Sequence, residues 1–387
     1  MKKYFRSLPV QLAIIFFFCL FLGKYMPLGF KELAYTISLA IKDILLFVLP
    51  FVIFSYLFSC ILAFERGVLL FIVALVTAIC ASNFLSTMIA YSVGYLSLDS
   101  IRLMTEDAVH GMSLQPWFSL HLPKWIPNDK ALLFGAVCGV IFAYGRVKRV
   151  ERVALRMKQM AAFFLNKMFI PVVPLFLLGS VLAMEHDGRL QRIFKDYAPI
   201  VLLMLAVQFT YLMTLYAIAA NFKVSRWLTL LKNVLPSGFT AFSTMSSAAA
   251  MPLILEGAEK NTHKPNWVKA VVPVAVNVHL IGDSIGIPLC ALAILKTFGY
   301  GFPDFATYGV FALNFVLAKF AVAAVPGGGI IVMLPILKEY LGFSPEMLSL
   351  SFALYVLLDS FVTTVNTLGN GVFAILFTRV LSRIKKD

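Results

Sequence analysis

Predominantly apolar stretches of about eighteen or more residues recur from one end of this chain to the other, long enough to cross a bilayer's hydrocarbon core as α-helices. With 387 residues, 60% hydrophobic and 13% charged, and mean hydropathy +0.89, the chain lies outside soluble usage. The reading is an all-α integral membrane protein with no separate soluble domain. A transmembrane barrel would show short alternating segments, and none stands out. The first residues, M-K-K-Y-F-R-S-L-P-V, resemble a signal sequence, but the apolar run continues to residue 26 without a small-residue cleavage site, so it reads as a retained first span.

Further spans read at residues 34–63, 69–96, 131–144, 157–184 and 199–221. Pro50 implies a kink in the second and the paired prolines of F-I-P-V-V-P-L-F a bend in the fifth. Residues 97–130, with Trp117 and Trp125, read as an extracytoplasmic excursion with interface-anchoring aromatics.

The formal charge of +14 raises the question of nucleic acid, but its placement answers it. With loops assigned alternately, about 20 Lys and Arg fall on the side carrying both termini and about 10 on the other, the positive-inside asymmetry. Both termini are therefore expected in the cytoplasm, the excess charge facing anionic headgroups. The five cysteines lie apart in apolar segments, without C-x-x-C or His/Cys spacing, and read as packing residues.

Beyond residue 230 the pattern changes. Residues 234–255 are apolar but broken by a Ser/Thr/Ala-rich centre. Residues 270–295 follow with a polar middle that includes Asn277, His279, Asp283 and Ser284. The plan then repeats, with 308–337 broken by V-P-G-G-G and a last span at 347–381. That last span holds D-S-F-V-T-T-V-N-T-L-G-N-G (359–371), a carboxylate, three threonines and two asparagines in a membrane segment. Polar groups at that depth are costly and mark binding sites or pathways. Asp359, Thr363 and Asn366 are spaced i, i+4, i+7, which puts them on one helix face. Paired interrupted segments suit re-entrant hairpins whose tips expose backbone groups to a midplane site, the alternative being two ordinary small-residue packing helices.

S-T-M-S-S-A-A-A-M-P (243–252), V-P-G-G-G (325–329) and V-N-T-L-G-N-G (365–371), in that order, resemble the dicarboxylate/amino acid:cation symporter family, the glutamate and aspartate transporters. The resemblance covers nearly the whole chain. It implies eight transmembrane helices plus two re-entrant helical hairpins, built as inverted repeats, in a homotrimer with scaffold and elevator-like transport domains. Residues 1–66 would be scaffold helices one and two, 67–97 helix three of the transport domain, and 98–187 a loop with scaffold helices four and five. Residues 188–387 would complete the transport domain with helix six, hairpin one, helix seven, hairpin two and helix eight.

Carried over by position, Ser246 and Ser247 are the carboxylate-holding tip of hairpin one. Val325, Pro326, Gly327, Gly328 and Gly329 are the gate at the tip of hairpin two. Asp359 is the partner of a substrate amino group and Asn366 of its α-carboxylate, with Thr363 between them. Acidic-substrate members place an arginine three residues after the aspartate. Here Val362 stands there, with no substitute in Ser360 or Met245. Without that bidentate fork a side-chain carboxylate is poorly matched. Asp359 thus argues for an amino group and Val362 for a neutral amino acid.

The cation positions also depart. Where sodium-coupled members read N-M-D-G-T, this chain reads H-L-I-G-D (279–283), so an asparagine becomes His279 and an aspartate Ile281. A second aspartate becomes Asn370. Hard cations want oxygen ligands, usually with a carboxylate, so at least two sites lose charge. Asp283 either stands in for the missing aspartate or faces the substrate side chain, where it would favour a cationic substrate. Lys319 falls near a region where the family holds another sodium by carbonyls, and its ammonium either occupies that place or snorkels or pairs with a carboxylate. His279 is a candidate proton carrier or a structural histidine. Candidate cation-coupling residues are Ser82, Asn83, Asn277, His279, Asp283, Lys319, Asn366 and Asn370.

The expectation is therefore a secondary active transporter of the cytoplasmic (inner) membrane of a prokaryote. It would move a small, neutral amino acid coupled to a sodium or proton gradient, with no other cofactor and no nucleic acid partner. The alternative within transport is a C4-dicarboxylate or acidic amino acid symporter, and outside it a gated channel or a transport-inactive sensor. No Ser/His/Asp order, Walker loop or dinucleotide fingerprint suggests an enzyme.

Overall fold

The computed structural model describes residues 8–62, 69–101, 114–120, 122–123, 126–145, 148–322 and 327–384. Trp125, Val325 and Pro326 lie outside the described residues. Everything regular among the described residues is helical, and six helices or collinear helix pairs are long and apolar enough to cross a membrane. Three shorter apolar helices accompany them, at Val10–Tyr25, Leu133–Phe142 and Phe305–Ala321.

The N-terminal helices are α1 (Leu8–Leu22), α2 (Leu28–Leu62), α3 (Leu69–Ser97) and α4 (Asn128–Gly145). Pro50 lies within α2, which continues through it. α5 (Lys148–Phe163) is basic and amphipathic and joins α6 (Ile170–His186) through a π-helical segment, Phe164–Phe169. That widened turn sits immediately before Pro171 and Pro174, which cannot donate to the preceding turn.

α2 packs on α4, α5 and α6. Lipid removes the hydrophobic drive for helix association, so small residues and buried polar pairs do the joining. At Gly179 a Cβ would collide with the Ala34 carbonyl, so only glycine allows α2 and α6 to approach this closely. Ser38 donates to the Phe176 carbonyl at 2.8 Å, and Lys31 pairs with Glu185 at 2.8 Å beside it.

α7 (Arg189–Ala219) leads to a helical pair, α8 (Val224–Thr244) and α9 (Ser247–Lys260), packed antiparallel. Asn261 at the far end of α9 donates to the Leu230 carbonyl near the start of α8. The tip is a two-residue reversal, with Met245 at φ 51° and Ser246 capping α9 through Ala249 N–H at 3.3 Å.

The span expected at 270–295 is two helices. α10 (Pro265–Val278) stops, His279 and Leu280 are extended or irregular, and α11 (Ile281–Thr297) restarts. This is the most enclosed span, with 94% of its most apolar window inside the protein against 28% for Tyr197–Ala219.

α12 (Phe305–Ala318), continued by a short 3-10 turn at Lys319–Ala321, and α13 (Gly328–Leu341) form the second pair. Asp304 caps α12, accepting from Thr307 N–H at 2.8 Å, and this bond with the Thr307 hydroxyl holds its carboxyl below the ordinary range. α14 (Pro345–Ile384) is an unbroken helix of 40 residues against which α7 to α11 and α13 pack. Arg379 near its end donates to the last carbonyls of α7, at Ala219 and Ile218, and to Asn221, neutralising that helix's negative terminus.

Candidate substrate and cation site

The middle of α14 presents one polar face, and the breaks in the other helices are arranged around it. Asp359, Thr363 and Asn366 are all buried. Thr363 donates its hydroxyl to Asp359 Oδ1 at 2.7 Å, and the backbone N–H of Gly327 donates to Oδ2 at 2.7 Å. Gly327 has φ 71°, a left-handed conformation that glycine adopts without strain, and it starts α13. The N-terminus of α13, with its unpaired N–H groups and positive dipole end, therefore rests on a carboxylate.

Asn366 holds the restart of α11. Its Oδ1 accepts from Gly282 N–H at 2.8 Å and Asp283 N–H at 3.3 Å, and its Nδ2 donates to Asp283 Oδ2 at 3.3 Å. Tyr355, one turn before Asp359, donates its hydroxyl to Asp283 Oδ1 at 2.7 Å. A Cβ at Gly329 would collide with the Tyr355 hydroxyl and lie 2.9 Å from Asp283 Oδ2, so α13 lies directly on this pair. Gly328 is buried in the same first turn. On the other side, Thr367 donates to Ser247 Oγ at 3.2 Å, which sets the tip of the first helical pair against α14, while Ser246 is half-buried. Three helix N-termini, of α9, α11 and α13, thus converge on α14 between Asp359 and Thr367, a favourable setting for an anionic group.

Val362 is 1% exposed and lines a cavity of about 10 Å³, room for roughly one water, with Met204, Gly286, Ile287, Cys290, Ile330, Ser351, Tyr355 and Leu358. Among the described residues its lining carries no cationic side chain.

Five of the cation-coupling candidates, Ser82, Asn83, His279, Lys319 and Asn370, gather at the α10–α11 break. Asn83 bridges the helix break, donating from Nδ2 to the Val278 carbonyl at 2.8 Å and accepting from Leu280 N–H at 3.1 Å. His279 is fully buried and stacks on Phe373, ring centroids 4.2 Å apart. Its Nε2 lies 2.9 Å from Ser82 Oγ and its Nδ1 3.2 Å from Asn370 Oδ1. Because Asn370 Oδ1 only accepts, Nδ1 carries the proton and Nε2 accepts from Ser82 in the neutral ring. Asn370 Nδ2 has no partner. Lys319 is fully buried at the same break that Asn83 bridges, donating to the Leu280 carbonyl at 2.7 Å and Ser284 Oγ at 2.5 Å.

One expectation is corrected. Asn277 is not in the cluster. It is exposed and donates to the Pro273 carbonyl of its own helix, because it lies on the opposite face of α10. Asn366, expected to hold a substrate carboxylate, has Oδ1 and Nδ2 both bonded to the start of α11. Ile281, where the family resemblance puts an aspartate, sits in an apolar cluster with Leu212, Tyr216, Val365 and Leu368. Sequence reading missed Tyr355, Thr367, Phe373 and Gln208, which donates to the Gly282 carbonyl at 2.8 Å. Tyr355 could have been found by its i−4 spacing from Asp359. No group of three or more His, Cys, Asp or Glu suited to a metal occurs among the described residues.

A profile described as the Sodium:dicarboxylate symporter family matches residues 8–380. The serine/threonine transporter SstT of Acinetobacter baumannii (strain AYE) is 24% identical over 210 residues, covering 53% of this chain and 52% of that protein. Excitatory amino acid transporter 1 of Ambystoma tigrinum is 24% identical over 246 residues, 63% of this chain and 45% of its own length. SstT of Streptococcus thermophilus is 26% identical over 209 residues, 50% of this chain and 49% of the relative. The chain spans about half the length of these curated relatives. With the profile matched across nearly its whole length, the chain belongs to the Sodium:dicarboxylate symporter family.

Proposed function

We propose that this protein is a secondary active transporter that carries a small neutral amino acid across the cytoplasmic membrane, coupled to a cation gradient. The observation that carries the reading is the Asp359 carboxylate, held by Thr363 and capped by the α13 terminus at Gly327, beside a cavity whose wall at Val362 is apolar. A substrate ammonium replaces the Gly327 N–H on Asp359. The convergent N-termini of α9 and α13 receive its carboxylate, and the side chain meets the Val362 wall. A dicarboxylate would leave one carboxylate without a guanidinium partner there.

The two helical pairs act as re-entrant hairpins, the second as the gate. α3 and α7 to α14 move as the transport domain against a scaffold of α1, α2 and α4 to α6, in a trimer with cytoplasmic termini. The packing groups support this, since α2 packs chiefly on α4 to α6 and α14 on the helices of the hairpins and their neighbours. Coupling to sodium is weaker than in typical relatives, an assignment supported by Ile281 in its apolar cluster and by Asn370 in place of a carboxylate.

Asp283 beside Gly329 favours a second reading, a substrate with a basic side chain. Purified protein in proteoliposomes, preloaded with unlabelled amino acid, tests both. Saturable counterflow of labelled serine or alanine, weak for aspartate and succinate, is expected. Strong lysine counterflow selects the second reading. Aspartate or succinate uptake without serine uptake overturns both, and ohmic current without counterflow identifies a channel.

A further inference from the structure

Lys319 is used by nothing so far, although it is among the largest fully buried side chains. It is the C-cap of α12, the first arm of the second hairpin, and its ammonium reaches across to the break between α10 and α11. There the Leu280 carbonyl, which also accepts from the N–H and hydroxyl of Ser284 as α11 begins, accepts from Nζ at 2.7 Å, and Ser284 Oγ does so at 2.5 Å. The Phe315 ring covers the charge with its centroid 4.9 Å from Nζ. No carboxylate oxygen lies within 4.0 Å of Nζ among the described residues. The ammonium is held instead by these oxygen dipoles, at the break that follows the C-terminal end of α10.

That is the environment of a bound monovalent cation. A broken helix presents a carbonyl and a hydroxyl in a region enclosed by protein, where hard cations are coordinated by oxygen and unwound carbonyls serve them. We propose that the Lys319 ammonium is a resident cation at the α10–α11 break, holding the second hairpin against it so that substrate binding needs no cation from solution at this position. Building on the amino acid reading above, this narrows the source of coupling. A coupling proton must then act elsewhere, at the titratable groups Asp359, Asp283 or His279, or the protein exchanges substrates.

The test uses the purified chain in detergent, with L-serine as the probe and sodium chloride compared with choline chloride. For the wild type, serine Kd is expected to agree within about twofold between the salts, and the substrate-free unfolding midpoint is expected not to rise with sodium. Lys319→Ala is expected to lower serine affinity by about tenfold or more in choline chloride, with recovery when sodium or methylammonium chloride is added. Neither salt should change the wild type. Lys319→Met, which refills the space without charge, should lose binding and show no recovery. A merely structural lysine would weaken the variants without making the alanine variant responsive to these cations.

Wild-type serine binding that requires sodium overturns the proposal and leaves the amino acid reading standing. So does either variant binding serine like the wild type in choline chloride. If no amino acid binds in either salt, the functional reading falls. The substrate-free midpoints still decide this one, because a sodium-stabilised wild type or a cation-insensitive Lys319→Ala overturns it. Should Lys319→Ala fail to fold, the wild-type salt comparison and Lys319→Met decide.

Discussion

Gly327 donates its backbone N–H to Asp359 Oδ2 at 2.7 Å, so the tip of the second helical pair holds the carboxylate assigned to the substrate's amino group. A ligand ammonium must replace that donor, and its advantage is its full charge. Asp359→Asn keeps the shape and removes the charge, and serine affinity is expected to fall by about 10- to 100-fold, the range for a hydrogen bond to a charged group. Thr363→Val, which frees Oδ1, is expected to cost up to about tenfold. Isothermal titration of the two variants checks this, and an unchanged Kd for Asp359→Asn refutes the assignment.

Much of the fold was legible because a lipid-crossing helix needs only length and apolarity, which the runs around residues 69–96 and 347–381 display without regard to period. The helical reversal at Met245–Ser246 was legible through its serine-rich interruption, and the start of α13 at Gly327 through its glycines. The break at His279–Leu280 was not, since what stabilises it is Asn83, 195 residues away from Val278. Asn277 carries the same polar letter as Asn366 yet faces outward, a difference only the helix register reveals. Tyr355 and Phe373 read as ordinary apolar aromatics until their partners, Asp283 and His279, are placed beside them.

Asn366 is a tie between α14 and α11 before it is anything to a ligand. Asn366→Ala leaves the Gly282 and Asp283 N–H groups and one Asp283 oxygen without partners in a buried site. Each such group costs about 1–3 kcal/mol, so the substitution is expected to lower the thermal midpoint in the absence of ligand. Asp359→Asn, which leaves these partners intact, is expected to do so far less. Differential scanning fluorimetry of the two without substrate separates a tie from a pure ligand contact.

Two glycines are expected to answer the same substitution with opposite signs. At Gly282 a Cβ would run into the Val362 carbonyl and lie 3.0 Å from Asn366 Oδ1. Backbone cannot yield there without separating α11 from α14, so Gly282→Ala is expected to destabilise by about 1–3 kcal/mol. At Gly309, within α12, a Cβ meets nothing within 4 Å. Gly309→Ala is expected to stabilise by about 0.4–1 kcal/mol through the lost freedom of the unfolded chain. Unfolding midpoints measured side by side in one detergent show whether the signs differ.

In the proposed function, Val362 is the position at which substrate charge is decided. Its side chain lines an apolar cavity of about 10 Å³ and lies 3.5 Å from where a Gly286 Cβ would stand. An arginine cannot fit that space in the observed conformation, so Val362→Arg must send its guanidinium toward Asp359 and the α13 terminus, or force the helices apart. In the first case a planar fork of donors becomes available to a side-chain carboxylate. The ratio of aspartate to serine affinity is then expected to rise by about tenfold or more, as one charged hydrogen-bonded pair is gained. Overpacking is expected to lower the unfolding midpoint at the same time, with a cost of about 1–3 kcal/mol. Competition binding with labelled serine against aspartate, on the fraction that remains folded, reads the ratio. If the variant folds and still prefers serine as the wild type does, Val362 does not face the substrate side chain.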